Sequence, residues 1–447
     1  MRAVTVIGAG LAGPEAAWQV AAAGVAVRLY EMRPRRRTPA HQSDQFAELV
    51  CSNSLGSSLA DRASGVLQAE LEQLGSKLLE LARACAVPAG QALAVDRTAF
   101  AAAVTQAVAG HPLIEVRREE VTTLPSEGVC VLASGPLTSE ALAGAVARLA
   151  GTSNLSFFDA IAPVVSADSL DFTELYAASR YGHGEADYWN VPLDPERYRW
   201  LVAELLAAEK RAPAAFESAD PRAARFFERC LPVEVLAARG AEALRFGPLR
   251  PVGLRDPRTG RRPYAVLQLR PENRARTLYN LVGFQTNLRH GEQERILRAL
   301  PGFAAAEFVR LGSMHRNTFL RAPALLNATL EWRGRPGLFV AGQLTGMEGY
   351  LGNIGSGLLA GRNALRRALG AEPETLPRTT LLGALAAHVA EAPAATFQPM
   401  KAEFGLLPPL PDHAARARRN AVRAAHSASS LAEHLRLHPL PGAYAAV

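Results

Sequence analysis

The chain has 447 residues, more than one compact core accommodates, which predicts two or three domains. Its 49% apolar and 20% charged residues exclude a disordered or fibrous chain. Lys and Arg total 49 against 42 Asp and Glu, a net charge of +7, compatible with a nucleic-acid partner but not requiring one. Only Lys77, Lys210 and Lys401 are lysines, so the arginine excess reads as coding bias before it reads as RNA binding. Cys51, Cys85, Cys130 and Cys230 lie far apart without a CxxC pair, which argues against zinc or any other metal site and against a disulfide framework. A reducing, cytoplasmic setting is expected. Glycines interrupt the apolar N-terminus too early for a signal peptide, and no uninterrupted apolar stretch is long enough to span a membrane.

In chain order, residues 3–7 read as a buried strand. Gly8-Ala9-Gly10-Leu11-Ala12-Gly13 follows, then a helix from Pro14 to about Ala23 stopped by Gly24, and a second strand, Val25 to Tyr30, ending on Glu31. Residues 64–85 read as one helix with Leu67, Leu71 and Leu74 on a face. A short strand, 129–132, ends in the turn Ala133-Ser134-Gly135-Pro136. From about 180 to 320 aromatics and charges increase, among them Tyr181, Tyr188, Trp189, Tyr198, Trp200, Phe226 and Phe227, as expected of an inserted mixed α/β domain. A strand and glycine turn return at Gly337 to Gly342, followed by a helix within 346–369 and a basic, helical C-terminal tail. The expected division is 1–180, 181–320 and 321–447, the first and last parts forming one nucleotide-binding domain.

The strand–glycine turn–helix–strand–acid order is that of a dinucleotide-binding unit. Gly8 permits the tight turn, Gly10 lets backbone approach a pyrophosphate, and Gly13 allows close helix–strand packing. The helix N-terminus faces the phosphate charge, with Ala9, Leu11 and Ala12 completing the turn, and Glu31 is placed to accept from a ribose hydroxyl. The turns at Gly135 and Gly342 resemble those of two-dinucleotide-type flavoproteins, which implies FAD and a Rossmann-like α/β fold. Many such flavoproteins have Gly-Asp at the late turn; here it is Gly342-Gln343.

Cys51 follows an apolar stretch and precedes Ser52-Asn53-Ser54, a turn with backbone donors where a thiol can be activated. Cys230 lies near Arg225 and Arg229, which favour a thiolate. Each is weighed against the more common role of a buried small hydrophobe, the role assigned to Cys85 and Cys130.

The chain resembles the folate- and FAD-dependent tRNA (uracil-5-)-methyltransferase family. Matching segments include Val6 to Gly13, Glu15 to Trp18, Glu31 to Pro34, Thr38 to His41, Cys51 to Leu55, Val87 to Gly90 and Ala94 to Arg97. They continue at Gly135 to Thr138, Cys230 to Glu234, Phe246 to Gly253, Leu281 to Thr286, Met314 to Thr318, Glu348 to Tyr350 and Phe397 to Met400. One departure is Gly352, where the family commonly has an acid. The resemblance implies methylation of carbon-5 of the T-loop uridine of tRNA. Methylenetetrahydrofolate would donate the carbon, and NAD(P)H would reduce the flavin that passes it on with a hydride. It makes Cys51 and Cys230 the catalytic pair, one adding to carbon-6 and the other serving proton transfer or shielding. His41 and His315 could stack on a pteridine or flavin, although a lone histidine is more often structural. Arg33, Arg35, Arg36 and Arg37 and the C-terminal arginines are weighed equally as phosphate contacts and as solvated faces. The inserted domain's aromatics read as core before base-stacking groups. Two other readings remain: a related flavoprotein of tRNA wobble-uridine modification, and an RNA chaperone with structural FAD.

Overall fold

The computed structural model describes residues 3–38, 40–151, 155–182, 185–211, 231–410 and 418–440, excepting the side chains of 155–160 and 314–317. The chain starts with β1 (Val4–Ile7), α1 (Ala12–Ala22), β2 (Val27–Tyr30), β3 (Ser54–Ser57), α2 (Ala63–Gln73) and α3 (Lys77–Ala84). Next come β4 (Ala86–Val87), β5 (Ala92–Val95), α4 (Arg97–Ala109), β6 (Ile114–Arg117), β7 (Cys130–Leu132) and α5 (Glu140–Ala150). The middle comprises β8 (Leu155–Ala160), β9 (Val164–Ser166), β10 (Tyr176–Ala177), β11 (Trp189–Leu193), α6 (Pro195–Ala207), α7 (Val233–Ala237) and α8 (Ala243–Phe246). It continues with β12 (Ala265–Pro271), β13 (Leu278–Leu281), α9 (His290–Arg298), β14 (Phe308–Arg310) and β15 (Met314–Phe319). The chain closes with α10 (Ala322–Leu325), β16 (Leu338–Val340), α11 (Tyr350–Ala368), α12 (Leu381–Glu391) and α13 (Arg419–Leu437). No described helix is long and apolar enough to cross a membrane.

A five-stranded sheet has the order β16-β7-β1-β2-β6, and every pairing in it is parallel. Strands β7 and β16 are short apolar runs buried throughout and β1 is nearly so, as expected of helix-covered parallel strands. The fold is therefore Rossmann-like α/β, as expected. A six-stranded antiparallel sheet, β10-β11-β12-β13-β9-β14, has its own core, in which Leu193, Leu201, Leu267, Leu281 and Phe303 are buried. Its strands come from 164 to 310, on both sides of residue 181. The chain runs toward this sheet along β8 and returns along β15, and these two strands pair antiparallel from Leu155–Phe319 to Ala160–Met314. A small sheet, β3-β5-β4, follows the segment carrying Cys51.

The single helix expected over 64–85 is two helices. Gly75 takes φ +77°, a left-handed conformation open to glycine, and Ser76 then caps α3 by accepting from Leu79 N. The buried Glu15 of α1 completes that cap, accepting from Ser76 Oγ at 2.8 Å and Leu78 N at 2.9 Å. Burial pushes its carboxyl above the usual range despite these bonds. Glu70 of α2 likewise accepts from Leu381 N and Leu382 N at the start of α12, and from Ser427 Oγ of α13, which docks the C-terminal helix.

Helices α1 and α11 cross closely because glycines face alanines. A Cβ on Gly357 would collide with the backbone of Ala12, and one on Gly361 would lie 2.7 Å from Ala16 Cα. Gly352, on the same helix, has ordinary clearance, with Leu385 Cδ2 at 3.7 Å from a built Cβ. Gly357→Ala should therefore destabilise the chain by about 2 kcal/mol through overpacking, whereas Gly352→Ala should be neutral or stabilising by up to ~1 kcal/mol. Chemical denaturation midpoints of the two variants check this contrast; equal losses would contradict it.

Candidate functional site

A cleft of about 1020 Å³, open to solvent, runs along the carboxyl ends of β1, β2, β7 and β16. This is where open parallel sheets bind ligands. Gly8, Ala9, Gly10, Leu11, Ala12, Glu31, Gly135 and Gly342 all line it. Gly8 has φ +102°, and a Cβ there would come within 2.7 Å of Ser134 Cα, so the first turn is fitted against the turn after β7. A Cβ on Gly13 would collide with the carbonyl of Gly8; Gly13 itself is buried beneath the turn. Nothing lies within 4 Å of a Cβ built on Gly10, leaving open space beside the start of α1.

Glu31 reaches back to that turn, its Oε2 accepting from Ala9 N at 3.0 Å. It is also paired with Arg33, whose Nε donates to Oε1 at 2.9 Å and whose backbone N donates to the same oxygen at 3.0 Å. Burial pushes the Glu31 carboxyl up, and Arg33 more than offsets it, so the group is held below the ordinary carboxylate range. Arg33 is only 2% exposed and also reaches Glu48, so it is not part of a basic surface. Arg36 pairs with Glu120 and Arg37 with Asp44, leaving Arg35 as the exposed member of the run without an ion pair among the described residues.

Asn353, which sequence patterns did not single out, and Gln343 also line the cleft. Asn353, in the first turn of α11, has a buried Oδ1 with no hydrogen-bond partner in the described structure. That oxygen lies 3.8 Å from a Cβ built on Gly342. Gln343, which replaces the acid common at this turn, instead donates to Glu348 Oε1 at 2.7 Å. His41 lines the cleft as well, its Nδ1 2.5 Å from Thr38 Oγ1.

Cys51 sits in a bend beside the cleft and is half-buried. Val50 and Tyr350 form part of the cleft wall. The Tyr350 hydroxyl accepts from Cys51 N at 3.0 Å and Ser52 N at 3.1 Å, so the backbone donors expected at this turn are engaged. Burial pushes the Tyr350 phenol well up. Three arginines close on the loop from the other side. Arg97 donates to the carbonyls of Leu49 and Cys51 and pairs with Glu272 at 3.0 Å. Arg270 donates to Asn53 Oδ1 at 2.8 Å and Ser52 Oγ at 2.7 Å. Arg310 donates to Val50 O at 3.3 Å and Cys51 O at 3.2 Å, and its Nε is buried without a partner in the described structure. All three interact electrostatically with Cys51. Asn53 joins the small β3-β5-β4 sheet to the six-stranded sheet by donating to Val95 O and Pro271 O.

Cys230 lies outside the described residues, as do Phe226 and Phe227. The segment that follows is anchored: Glu234 accepts from Thr286 Oγ1 at 2.9 Å and Asn287 N at 2.8 Å. A Cβ on Gly312, two residues from Arg310, would lie against Thr286 and Ile161. Cys85 and Cys130 are buried, and burial pushes the Cys130 thiol up to about 12. The side chain of His315 is outside the described set, while Tyr198 is core and Tyr188 is half-buried with its hydroxyl on Ala89 O.

The family model described as GIDA, glucose inhibited division protein A, matches residues 3–372. A protein of Geobacter sulfurreducens named methylenetetrahydrofolate–tRNA-(uracil-5-)-methyltransferase TrmFO is 56% identical over 409 residues, 91% of this chain and 93% of that protein. A protein of the same name from Desulforudis audaxviator is 53% identical over 434 residues, 97% of this chain and 98% of the other. Among solved structures, Aquifex aeolicus GidA in its form II crystal superposes with a TM-score of 0.68 at 17% identity, covering 96% of this chain and 73% of that one. Its form I crystal gives 0.66 at 17% identity, with 89% and 72% covered. These last two likenesses bear on the fold, whereas the family model and the full-length relatives place the chain by sequence: it belongs to the GidA family and, within it, to the TrmFO group.

Proposed function

We propose that this chain is a tRNA (uracil-5-)-methyltransferase that uses FAD, methylenetetrahydrofolate and NAD(P)H. The observation that carries the reading is Tyr350, which lines the dinucleotide cleft and binds the backbone of Cys51 with the same side chain. It puts a thiol loop against the cleft, in a chain similar over nearly its whole length to proteins named for this reaction. The alignment with a relative named for this reaction over 97% of this chain and 98% of that protein favours this reading.

The cleft fits FAD on its own geometry. The Gly8–Gly13 turn and the N-terminus of α1 suit a pyrophosphate, the open space at Gly10 leaves room for it, and Glu31 stands at the end of β2. Gly135 and Gly342 line the cleft, Gly342 close to the start of α11, and the Asn353 oxygen, unpartnered in the described structure, is an acceptor suited to a ribityl hydroxyl. When bound and reduced by NAD(P)H, FAD would supply the one-carbon carrier and the hydride.

Carbon-5 of uracil is a poor nucleophile, and a thiolate adding to carbon-6 turns it into an enolate carbon. In this reading one of Cys51 and Cys230 makes that bond and leaves once the carbon-5 proton has been removed, with the other cysteine serving in proton transfer or shielding the site. Arg97, Arg270 and Arg310, opposed by Glu272, put excess positive charge around Cys51, the setting in which a thiolate persists. The T-loop uridine has to be splayed from its stack to reach the thiol. The exposed Arg418, just before α13, and Arg436, near its end, are placed to meet its phosphates.

Cys51→Ala and Cys230→Ala should each lower tRNA methylation by about 10³-fold or more while the purified proteins stay yellow. Nucleoside analysis with labelled folate donor checks the reaction; a larger group at a wobble uridine would favour the related modifier. A flavin that neither NADH nor NADPH bleaches would instead favour an RNA chaperone. Asn353→Ala should weaken FAD binding about fivefold, the worth of one hydrogen bond, with the apoprotein's melting temperature unchanged. Fluorescence titration of apoprotein with FAD measures this, and unaltered affinity would remove Asn353 from the site.

A further inference from the structure

The loop between α8 and β12 carries Arg250, Arg255, Arg258, Arg261 and Arg262, and its one acid is Asp256. Asp256 is already neutralised, held by Arg258 at 2.7 Å. Arg250, Arg261 and Arg262 are exposed and make no ion pair among the described residues. The loop is firmly built: Leu249 and Leu254 are buried, Asp256 N donates to Arg261 O at 2.9 Å, and Gly260 N donates to Asp256 O at 2.8 Å. Yet Phe246, at the end of α8, is 73% exposed. Tyr181, 60% exposed, lies on the same surface, its backbone N donating to Gly253 O at 2.8 Å and its ring against Gly253. Tyr181 takes φ +58°, which is strained for a bulky residue. An anchored loop that shows two aromatic rings among unpaired arginines has no core-packing explanation.

The surface connects to the Cys51 loop. Arg180 donates to Val252 O at 2.7 Å and to Gln268 Oε1 at 2.8 Å, and it interacts with Tyr188. Tyr188 in turn interacts with Arg270, which binds Ser52 and Asn53. Guanidinium groups bind phosphates in bidentate fashion, and aromatic faces among cations stack unpaired bases. We propose that the 246–262 loop with Tyr181 is an RNA-binding surface that holds phosphates through Arg250, Arg261 and Arg262 and at least one unstacked base on Phe246. The proposal rests on the tRNA-substrate reading and adds where that RNA is gripped.

The test is fluorescence anisotropy of the full-length chain with an unmodified tRNA transcript across a salt series. The triple variant Arg250→Ala, Arg261→Ala, Arg262→Ala should bind at least about tenfold more weakly, with a salt slope shallower by about two units. Phe246→Ala should lose about tenfold with no change in slope, and Phe246→Trp should restore binding. Arg378→Ala, which removes an exposed arginine paired with Glu391 elsewhere, should match wild type. Melting curves confirm that each variant is folded. Wild-type affinity and slope in both the triple and Phe246 variants overturn the proposal, and an equal Phe246→Ala loss on a fully paired RNA duplex overturns the stacking. A wild-type chain that does not bind the transcript contradicts the substrate reading itself.

Discussion

Three arginines, Arg270 buried and Arg97 and Arg310 half-buried, hold the loop on which the proposed chemistry depends. Arg97, Arg270 and Arg310 come from α4, β12 and β14, and among the described residues only Glu272 pairs with one of them directly. Taking guanidinium groups out of water is costly, so their hydrogen bonds must go to defined acceptors. Here those acceptors are largely the carbonyls and side chains of residues 49–53. Satisfying the arginines and fixing the loop are thus the same event. The Arg97–Glu272 pair is 16% and 5% exposed, and breaking such a buried pair typically costs about 3–5 kcal/mol.

The same loop has to meet the cleft from the opposite side, and the glycine-mediated crossing of α1 and α11 makes this possible. Gly357 and Gly361 let α11 lie against the helix that begins at the dinucleotide turn. The first turn of α11 therefore carries Asn353 into the cleft and Tyr350 to Cys51. Cleft, tyrosine, thiol and arginines form one continuous chain of contacts, and Asn53 bridges β5 and β12 beside the Cys51 loop.

Much of this was legible locally. The Gly8–Gly13 turn, Glu31 and the short strands before Gly135 and Gly342 are contiguous patterns whose spacing reflects a parallel sheet, and they line one cleft. What was not legible depends on partners distant in sequence. The run Arg33 to Arg37 looks like a solvated cluster, but Glu31 and Glu48 bury its first member. The helix over 64–85 breaks because Glu15 supplies a remote cap after Gly75. The arginine clamp joins positions 97, 270 and 310, and no periodicity connects these. Asn353 stands out only when its oxygen is seen to lack a partner.

The central claim is that the arginine clamp makes Cys51 a reactive thiolate at the cleft. The most direct test is the rate of iodoacetamide alkylation of Cys51 at neutral pH, read by peptide mass spectrometry in wild type and in Arg310→Met. The account predicts rapid labelling in wild type and labelling slower by about tenfold in the variant, as expected when a thiolate loses a neighbouring cation. Slow labelling in wild type, or equal rates in both proteins, would contradict it.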